Sequence, residues 1–460
     1  MRDRQMNKKI KGKELLLRTL KHERIDGVPW VPFAGVHAGK LKGYSALEVL
    51  KDEEKLFESL LEVNKVYDPD GQPIVFDLQI EAEILGCELL WAEKTPPSIA
   101  SHPLAFEKSI PEKLPEATDG RLPMILNVMR RMKITVGDRT ALYGLICGPF
   151  TLASHLRGTE IFMDIFQEKE FLQSLLDYCK RVCMRMIDLY VDAGMDVIAL
   201  VDPLVSQISP RHFKQILADP YTELFKVIRE KGVLSSFFVC GDATKSIEVM
   251  CQTLPDNISI DENVDILKAK EITDRYNICI GGNIPLTTRM LLGTQQDNMK
   301  FALDLIDSID HFNWILSPGC DMPYDTPIEN TVGILQAVRQ PEETRKMLEN
   351  YQAATYDVDS VILPDYAHLE KPLVEVFTLD SETCAACTYM WNTAKRVVEE
   401  LGGKADIVEY RFTKKENVAR VMKMGIKNLP SIVINGELKY SSVIPNPAEL
   451  RNEILKYIKP

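Results

Sequence analysis

From about residue 10 to 340, short wholly apolar runs alternate with longer stretches in which apolar residues recur every three or four positions. The apolar runs read as buried strands and the periodic stretches as helices. Ala141–Ile146 is a predicted strand ending at Gly148-Pro149. Met195–Val201 ends at Asp202-Pro203, and Val233–Val239 ends at Cys240-Gly241-Asp242. Asn257–Ile260 ends at Asp261-Glu262, Ile278–Gly281 at Gly282-Asn283, and Asn313–Leu316 at Ser317-Pro318-Gly319-Cys320. Helices are predicted over 160–192, 210–231 and 244–253. Strand and helix in repeated alternation imply parallel βα units. Without a Gly-x-Gly-x-x-Gly fingerprint, so many units favour a (β/α)8 TIM barrel over a dinucleotide-binding fold. Polar residues gather just past each strand's C-terminal end, where barrel active sites lie.

The pattern changes near residue 372. Residues 1–340 read as the barrel, 341–372 as a linker helix and 373–460 as a small second α/β domain. The second domain reads strand, helix through Glu400, strand 405–410, helix 415–424, strand 431–434, strand 438–441 and helix 447–458. Cys384-Ala385-Ala386-Cys387 opens its first helix, just after the β-like run Glu375–Leu379. Unpaired amides and the positive end of the helix dipole favour thiolate there. The two-residue gap lets the second thiol close a disulfide on the first. Leu429-Pro430-Ser431 places a proline just before a short apolar strand. This region resembles a thioredoxin- or glutaredoxin-like domain. The resemblance implies Cys384 as attacking thiolate, Cys387 as resolving thiol and a cis Pro430. The competing reading of a Cys-x-x-Cys is half a zinc knuckle, but no second pair lies nearby.

The formal net charge is −12 with acids and bases interspersed, which argues against a nucleic-acid binder. No apolar run reaches the ~20 residues that span a bilayer. The start of the chain, Met1–Lys9, is charged and lacks the apolar stretch of a secretory signal. Ten cysteines scattered along a large chain fit reduced thiols in the cytoplasm.

Five runs occur in order along the barrel: Gly148-Pro149-Phe150-Thr151-Leu152-Ala153-Ser154-His155-Leu156-Arg157-Gly158-Thr159-Glu160, Val201-Asp202-Pro203, Cys240-Gly241-Asp242, Gly281-Gly282-Asn283, and Leu316–Asp321 with Thr326–Asn330. Together they resemble the uroporphyrinogen decarboxylase superfamily, in its corrinoid-dependent methyltransferase branch. The decarboxylase proper grips its substrate's carboxylates with an arginine-rich segment near the start. Residues 26–40 here contain no arginine. The resemblance therefore implies methyl transfer to or from cobalamin on a partner corrinoid protein. The other substrate would be a small thiol, tetrahydrofolate, or a methyl ether or amine.

Thiol-activating members of that branch hold zinc with a His-x-Cys strand end and a distant cysteine. The resemblance maps the two cysteines to Cys240 and Cys320, the candidate metal ligands. Phe238 stands where the histidine would be. Zinc is then absent, or completed by Asp202, Asp261, Glu262 or His37. Asp77, His37 and Asp202 are candidate catalytic residues at strand ends. His155, Arg157 and Asn283 are candidate cofactor-contacting residues. The bland alternatives are helix caps, loop side chains and a packed cysteine pair.

The expected protein is a cytoplasmic corrinoid-dependent methyltransferase, possible as a homo-oligomer, with a thiol–disulfide domain appended. That domain would keep Cys240 and Cys320 or a partner's thiols reduced, or carry the thiol substrate. The alternatives are a redox-active binding module with a degenerate barrel site and, more weakly, a porphyrinogen decarboxylase.

Overall fold

The computed structural model describes residues 10–352, 357–382 and 385–458. Its strands in chain order are β1 (Gly71–Pro73), β2 (Leu89–Leu90), β3 (Ser98–Ile99), β4 (Ala141–Cys147), β5 (Val197–Val201), β6 (Leu234–Val239), β7 (Asn257–Ile260), β8 (Cys279–Gly281) and β9 (Trp314–Ile315). β10 (Leu373–Thr378), β11 (Asp406–Arg411), β12 (Ser431–Ile434) and β13 (Glu437–Ser441) follow. A parallel sheet runs β1-β4-β5-β6-β7-β8-β9, with helices between the strands. It closes into a barrel through residues 29–31. Val31 N–H donates to Leu316 C=O, just past β9, at 3.0 Å, and Asp70 N–H donates to Trp30 C=O at 2.9 Å. The eighth place in the ring is thus a single bridge, Trp30 to Leu316, rather than a full strand. Asp70 holds this seam from inside: its carboxylate accepts Trp30 N–H at 2.7 Å and pairs with Arg339 at 3.0 Å.

Every residue of β4 and β5 is buried, as strands covered on both faces require. The barrel interior is filled by Val31, Phe33, Phe76, Tyr143, Leu145, Ala199, Val201 and Phe238, among others, with Cys240 and Cys320 packed on it. The helices form the outer layer and share the larger core with the outward faces of the strands.

Three predicted helices differ from the structure. The 160–192 stretch breaks at Glu168 into Ile161–Gln167 and Lys169–Asp192, and 210–231 breaks at Leu217 into Pro210–Ile216 and Ala218–Glu230. Leu217 stays fully buried at its break, so the apolar pattern runs on while the backbone turns. The 244–253 stretch is a 3-10 turn, Thr244–Ser246, followed by the helix Ile247–Cys251. Of the predicted linker helix over 341–372, only Pro341–Met347 is helical among the described residues.

The second sheet has the order β11-β10-β12-β13, with β10 parallel to β11 and antiparallel to β12. With helices Ala385–Glu400, Lys415–Lys423 and Pro447–Leu455, this is a thioredoxin-like arrangement. The Leu429–Pro430 peptide is cis. Cys384 lies outside the described residues. The domain sits over the barrel mouth. The Tyr389 hydroxyl shares a 2.8 Å hydrogen bond with Ser154 Oγ, and its ring meets Phe162 edge-on at 6.4 Å. Asn428 Nδ2 donates to Asp242 at 3.1 Å.

Candidate functional site at the barrel mouth

A chamber of about 560 Å³ lies between the C-terminal ends of the barrel strands and the thioredoxin-like domain. Its floor and walls include Phe76, Leu78, His155, Cys240, Asp261, Glu262, Cys320, Asp321 and Met322, and its roof includes Leu379, Asp380, Cys387 and Pro430. One lysine, Lys94, and no arginine stand among the described lining residues, against six carboxylates: Asp261, Glu262, Asp321, Asp325, Asp380 and Glu382. Lys94 is already paired with Asp325 at 2.9 Å.

Of the candidate residues, His155, Cys240, Asp261, Glu262, Cys320 and Cys387 line this chamber. Cys240 and Cys320 follow β6 and β9, which are not adjacent in the sheet. Barrel curvature brings their Cα atoms to 5.9 Å, and the two sulfurs are bonded to each other. His155 is buried and its Nδ1 has no hydrogen-bond partner among the described residues. Burial pushes the imidazole down to about 3, so it is neutral at ordinary pH. Cys387 is fully buried, and its Sγ accepts the Leu379 N–H at 3.3 Å.

The other candidates stand behind the lining, where they shape it. Asp202 is fully buried and accepts the amides of Phe150 and Thr151 at 2.9 and 3.0 Å, the Thr151 hydroxyl at 2.6 Å and the Tyr221 hydroxyl at 2.5 Å. It thereby anchors the start of helix Pro149–Arg157, which carries His155. A Cβ at Gly148 would lie 2.4 Å from the Asp202 Cβ, so that approach requires glycine. Asn283 donates to the carbonyls of Asp261 and Val264 at 2.9 and 2.7 Å, pinning the loop that presents Asp261 and Glu262. Asp77 pairs with Arg121 at 2.7 Å. His37 is satisfied at both nitrogens: Nδ1–H donates to the Tyr324 carbonyl at 3.0 Å and Nε2 accepts the Tyr67 hydroxyl at 2.7 Å. Burial lowers it to about 4. Arg157 turns away to a bidentate pair with Asp164 at 2.7 and 3.2 Å.

Asp321 is a lining residue that sequence reasoning did not single out, although its motif was noted. It accepts the Gly35 N–H at 2.8 Å, and burial pushes its carboxyl well up. A Cβ at Gly35 would fall 2.4 Å from its Oδ1. An Asp next to a strand-end cysteine was the available signal. Glu262 accepts the Leu286 N–H. Burial and the neighbouring Asp261 push it up to about 8. At neutral pH it holds a proton that it can give up, which suits a general acid.

The donor set does not fit a three-ligand zinc site. Phe238 is fully buried, with its ring 4.9 Å from Phe33 and 5.8 Å from Phe76, as part of the barrel's inner core. The sulfurs of Cys240 and Cys320 are joined to each other. Among the described residues, no group of three His, Cys, Asp or Glu is placed to hold a metal ion.

Residues 11–341 match the family model of uroporphyrinogen decarboxylase, and residues 373–455 match a thioredoxin domain. The chain is 28% identical over 335 residues to the methylcobamide:CoM methyltransferase MtbA of Methanosarcina acetivorans, covering 71% of this chain and 97% of that protein. It is 25% identical over 301 residues to a uroporphyrinogen decarboxylase of Wolbachia pipientis, covering 64% and 86%. A solved methyltransferase from Methanosarcina mazei shares the barrel fold, with a TM-score of 0.64 at 22% identity over 73% of this chain and 98% of that one. These relatives include both methyltransferases and decarboxylases. No helix among the described residues is long and apolar enough to cross a membrane.

Proposed function

The chain belongs to the uroporphyrinogen decarboxylase family, and on that premise we propose that it moves a methyl group between the cobalamin of a corrinoid protein and a small donor or acceptor. The observation that carries this reading is the charge of the chamber. Its described lining offers no arginine and one lysine, Lys94, already paired with Asp325, so it lacks the basic partners that the eight carboxylates of a uroporphyrinogen need. A neutral, uncharged-methyl chemistry has no such need. The methyltransferase MtbA of Methanosarcina acetivorans is 28% identical to this chain, against 24% and 25% for two decarboxylases, which supports the same choice.

The corrinoid supplies the cobalt that takes or gives the methyl group. This chain's residues would do the rest. Phe76, Leu78, Leu286 and Met322 form an apolar wall that limits water around the reacting carbon. Glu262, protonated at neutral pH, would hand its proton to the oxygen or nitrogen that a methyl group leaves, and take it back on the reverse path. Asn283 and Asp202 would act as positioning residues for that loop and for the helix bearing His155. A proton available on Glu262 for the atom that the methyl group leaves favours a methyl ether or amine as the donor. A second reading, a redox-active binding module with a degenerate barrel, is favoured by Phe238 and by the Cys240–Cys320 bond.

The test is anaerobic turnover with a reduced corrinoid protein and methylated donors, followed by the absorbance change of the cobalamin. Rates should fall as pH rises through about 8. Glu262→Gln should lower kcat by roughly 10²- to 10⁴-fold, the usual worth of a general acid. Decarboxylation of uroporphyrinogen with no methyl transfer would overturn the proposal. No turnover of either kind, with intact thiol exchange, would select the binding module.

A further inference from the structure

The thioredoxin-like domain turns Cys387 and Pro430 toward the barrel chamber. Cys387 and the cis Pro430 line this cavity from the second domain, and Cys240 and Cys320 line it from the barrel. Three polar contacts among the described residues clamp that pose: Tyr389 to Ser154, two residues past Cys387; Asn428 to Asp242, two residues before Pro430 and two after Cys240 respectively; and Asn446 to Met163. The other described cysteines are buried away from this cavity. Burial pushes Cys87 and Cys251 up to about 12, which keeps them as inert thiols.

We propose that the second domain's cysteine pair and the Cys240–Cys320 pair pass one disulfide back and forth within the chain, across the chamber. The proposal does not depend on the methyl-transfer reading. Cys384 enters it from the sequence alone, as the first thiol of the Cys-x-x-Cys pair. In the reducing direction a thiolate of that pair attacks Cys240 or Cys320. A mixed disulfide forms, the Cys240–Cys320 bond breaks, and the displaced barrel thiolate takes a proton. The second thiolate of the pair then attacks the mixed disulfide and releases the other barrel sulfur, which is also protonated. Two electrons and two protons pass from the Cys384/Cys387 dithiol to the barrel pair. The products are a Cys384–Cys387 disulfide and two barrel thiols. A small external dithiol returns the second domain to its reduced form.

The test uses the full chain, oxidised and then given dithiothreitol at one fixed concentration, the same at every protein dilution, without oxygen. Samples are quenched by alkylation and mapped by mass spectrometry. Cys387→Ser should accumulate a linked peptide joining Cys384 to Cys240 or Cys320. In the wild type, thiols should appear at Cys240 and Cys320 with a first-order rate that does not change when the protein is diluted tenfold. Cys384→Ser with Cys387→Ser should slow that appearance at least tenfold. A rate proportional to protein concentration would place the exchange between chains and overturn the proposal. So would the absence of the linked peptide together with equal rates in wild type and double variant. Dilution of the wild type reports on the exchange even if a variant folds poorly.

Discussion

Glu81 is fully buried beside β4, with its Oε1 accepting the Cys147 amide at 3.2 Å and its Oε2 without a partner among the described residues. Burial pushes it up to about 8. Between pH 4.5 and 8 the folded state therefore holds a proton that the unfolded chain has lost, and stability declines as pH rises. The slope is about 1.4 kcal/mol per pH unit. Glu81→Gln should remove that slope, so denaturant midpoints of variant and wild type should coincide near pH 4.5 and separate steadily toward pH 8. Phe238 makes the opposite kind of point. It fills the barrel interior against Phe33 and Phe76, so Phe238→Ala should cost about 3–5 kcal/mol, measured by urea unfolding. At this scale the sequence revealed which residues end strands, because strand ends are local. It did not reveal that the Cys240 and Cys320 sulfurs are bonded, nor that His37 spends both nitrogens on Tyr67 and Tyr324. Those partners lie tens to hundreds of residues apart and are set by closure of the barrel.

The helix Ala385–Glu400 faces two cores at once. Met390, Ala394 and Val397 pack into the small domain, while Tyr389 is buried against the barrel core. Tyr389→Phe keeps the ring packing and removes the hydrogen bond to Ser154, a loss of about 1 kcal/mol. Amide hydrogen exchange in this helix and at the barrel mouth should then quicken by roughly five- to tenfold, with little change in the barrel strands. Uniform quickening across the chain would mean that Tyr389 serves global stability instead. Element existence was legible from periodicity, and the β-α-β-α-β-β-α order of the second domain matches its pattern closely. The breaks at Glu168 and Leu217 were not, since Leu217 keeps its burial while the backbone turns and Glu168 lies in a polar stretch that a continuous helix would also tolerate. The eighth barrel strand was hidden because it is one bridge long.

At the scale of the whole molecule, the mouth on which a corrinoid protein would dock is the one that the second domain covers. Methyl transfer would then require that domain to swing away. Loosening two of the polar contacts that clamp it, with Tyr389→Phe and Asn428→Ala, removes about 2 kcal/mol of docking and should raise the open fraction roughly thirtyfold. kcat/KM for the corrinoid protein should rise toward that limit, and the intramolecular appearance of Cys240 and Cys320 thiols should slow. An unchanged kcat/KM would show that docking uses another face. The clamp pairs were not legible in the sequence, because each is a single polar contact between segments more than 180 residues apart. They carry a further consequence. A domain fastened over its target, with Cys387 in the shared chamber, meets it at an effective concentration set by the fold, in the millimolar range or higher, whatever the abundance of the protein. Thiols dissolved in the surrounding medium must compete with that built-in concentration. The barrel's sulfurs should then keep equilibrium with their own roof first and with the medium only through it.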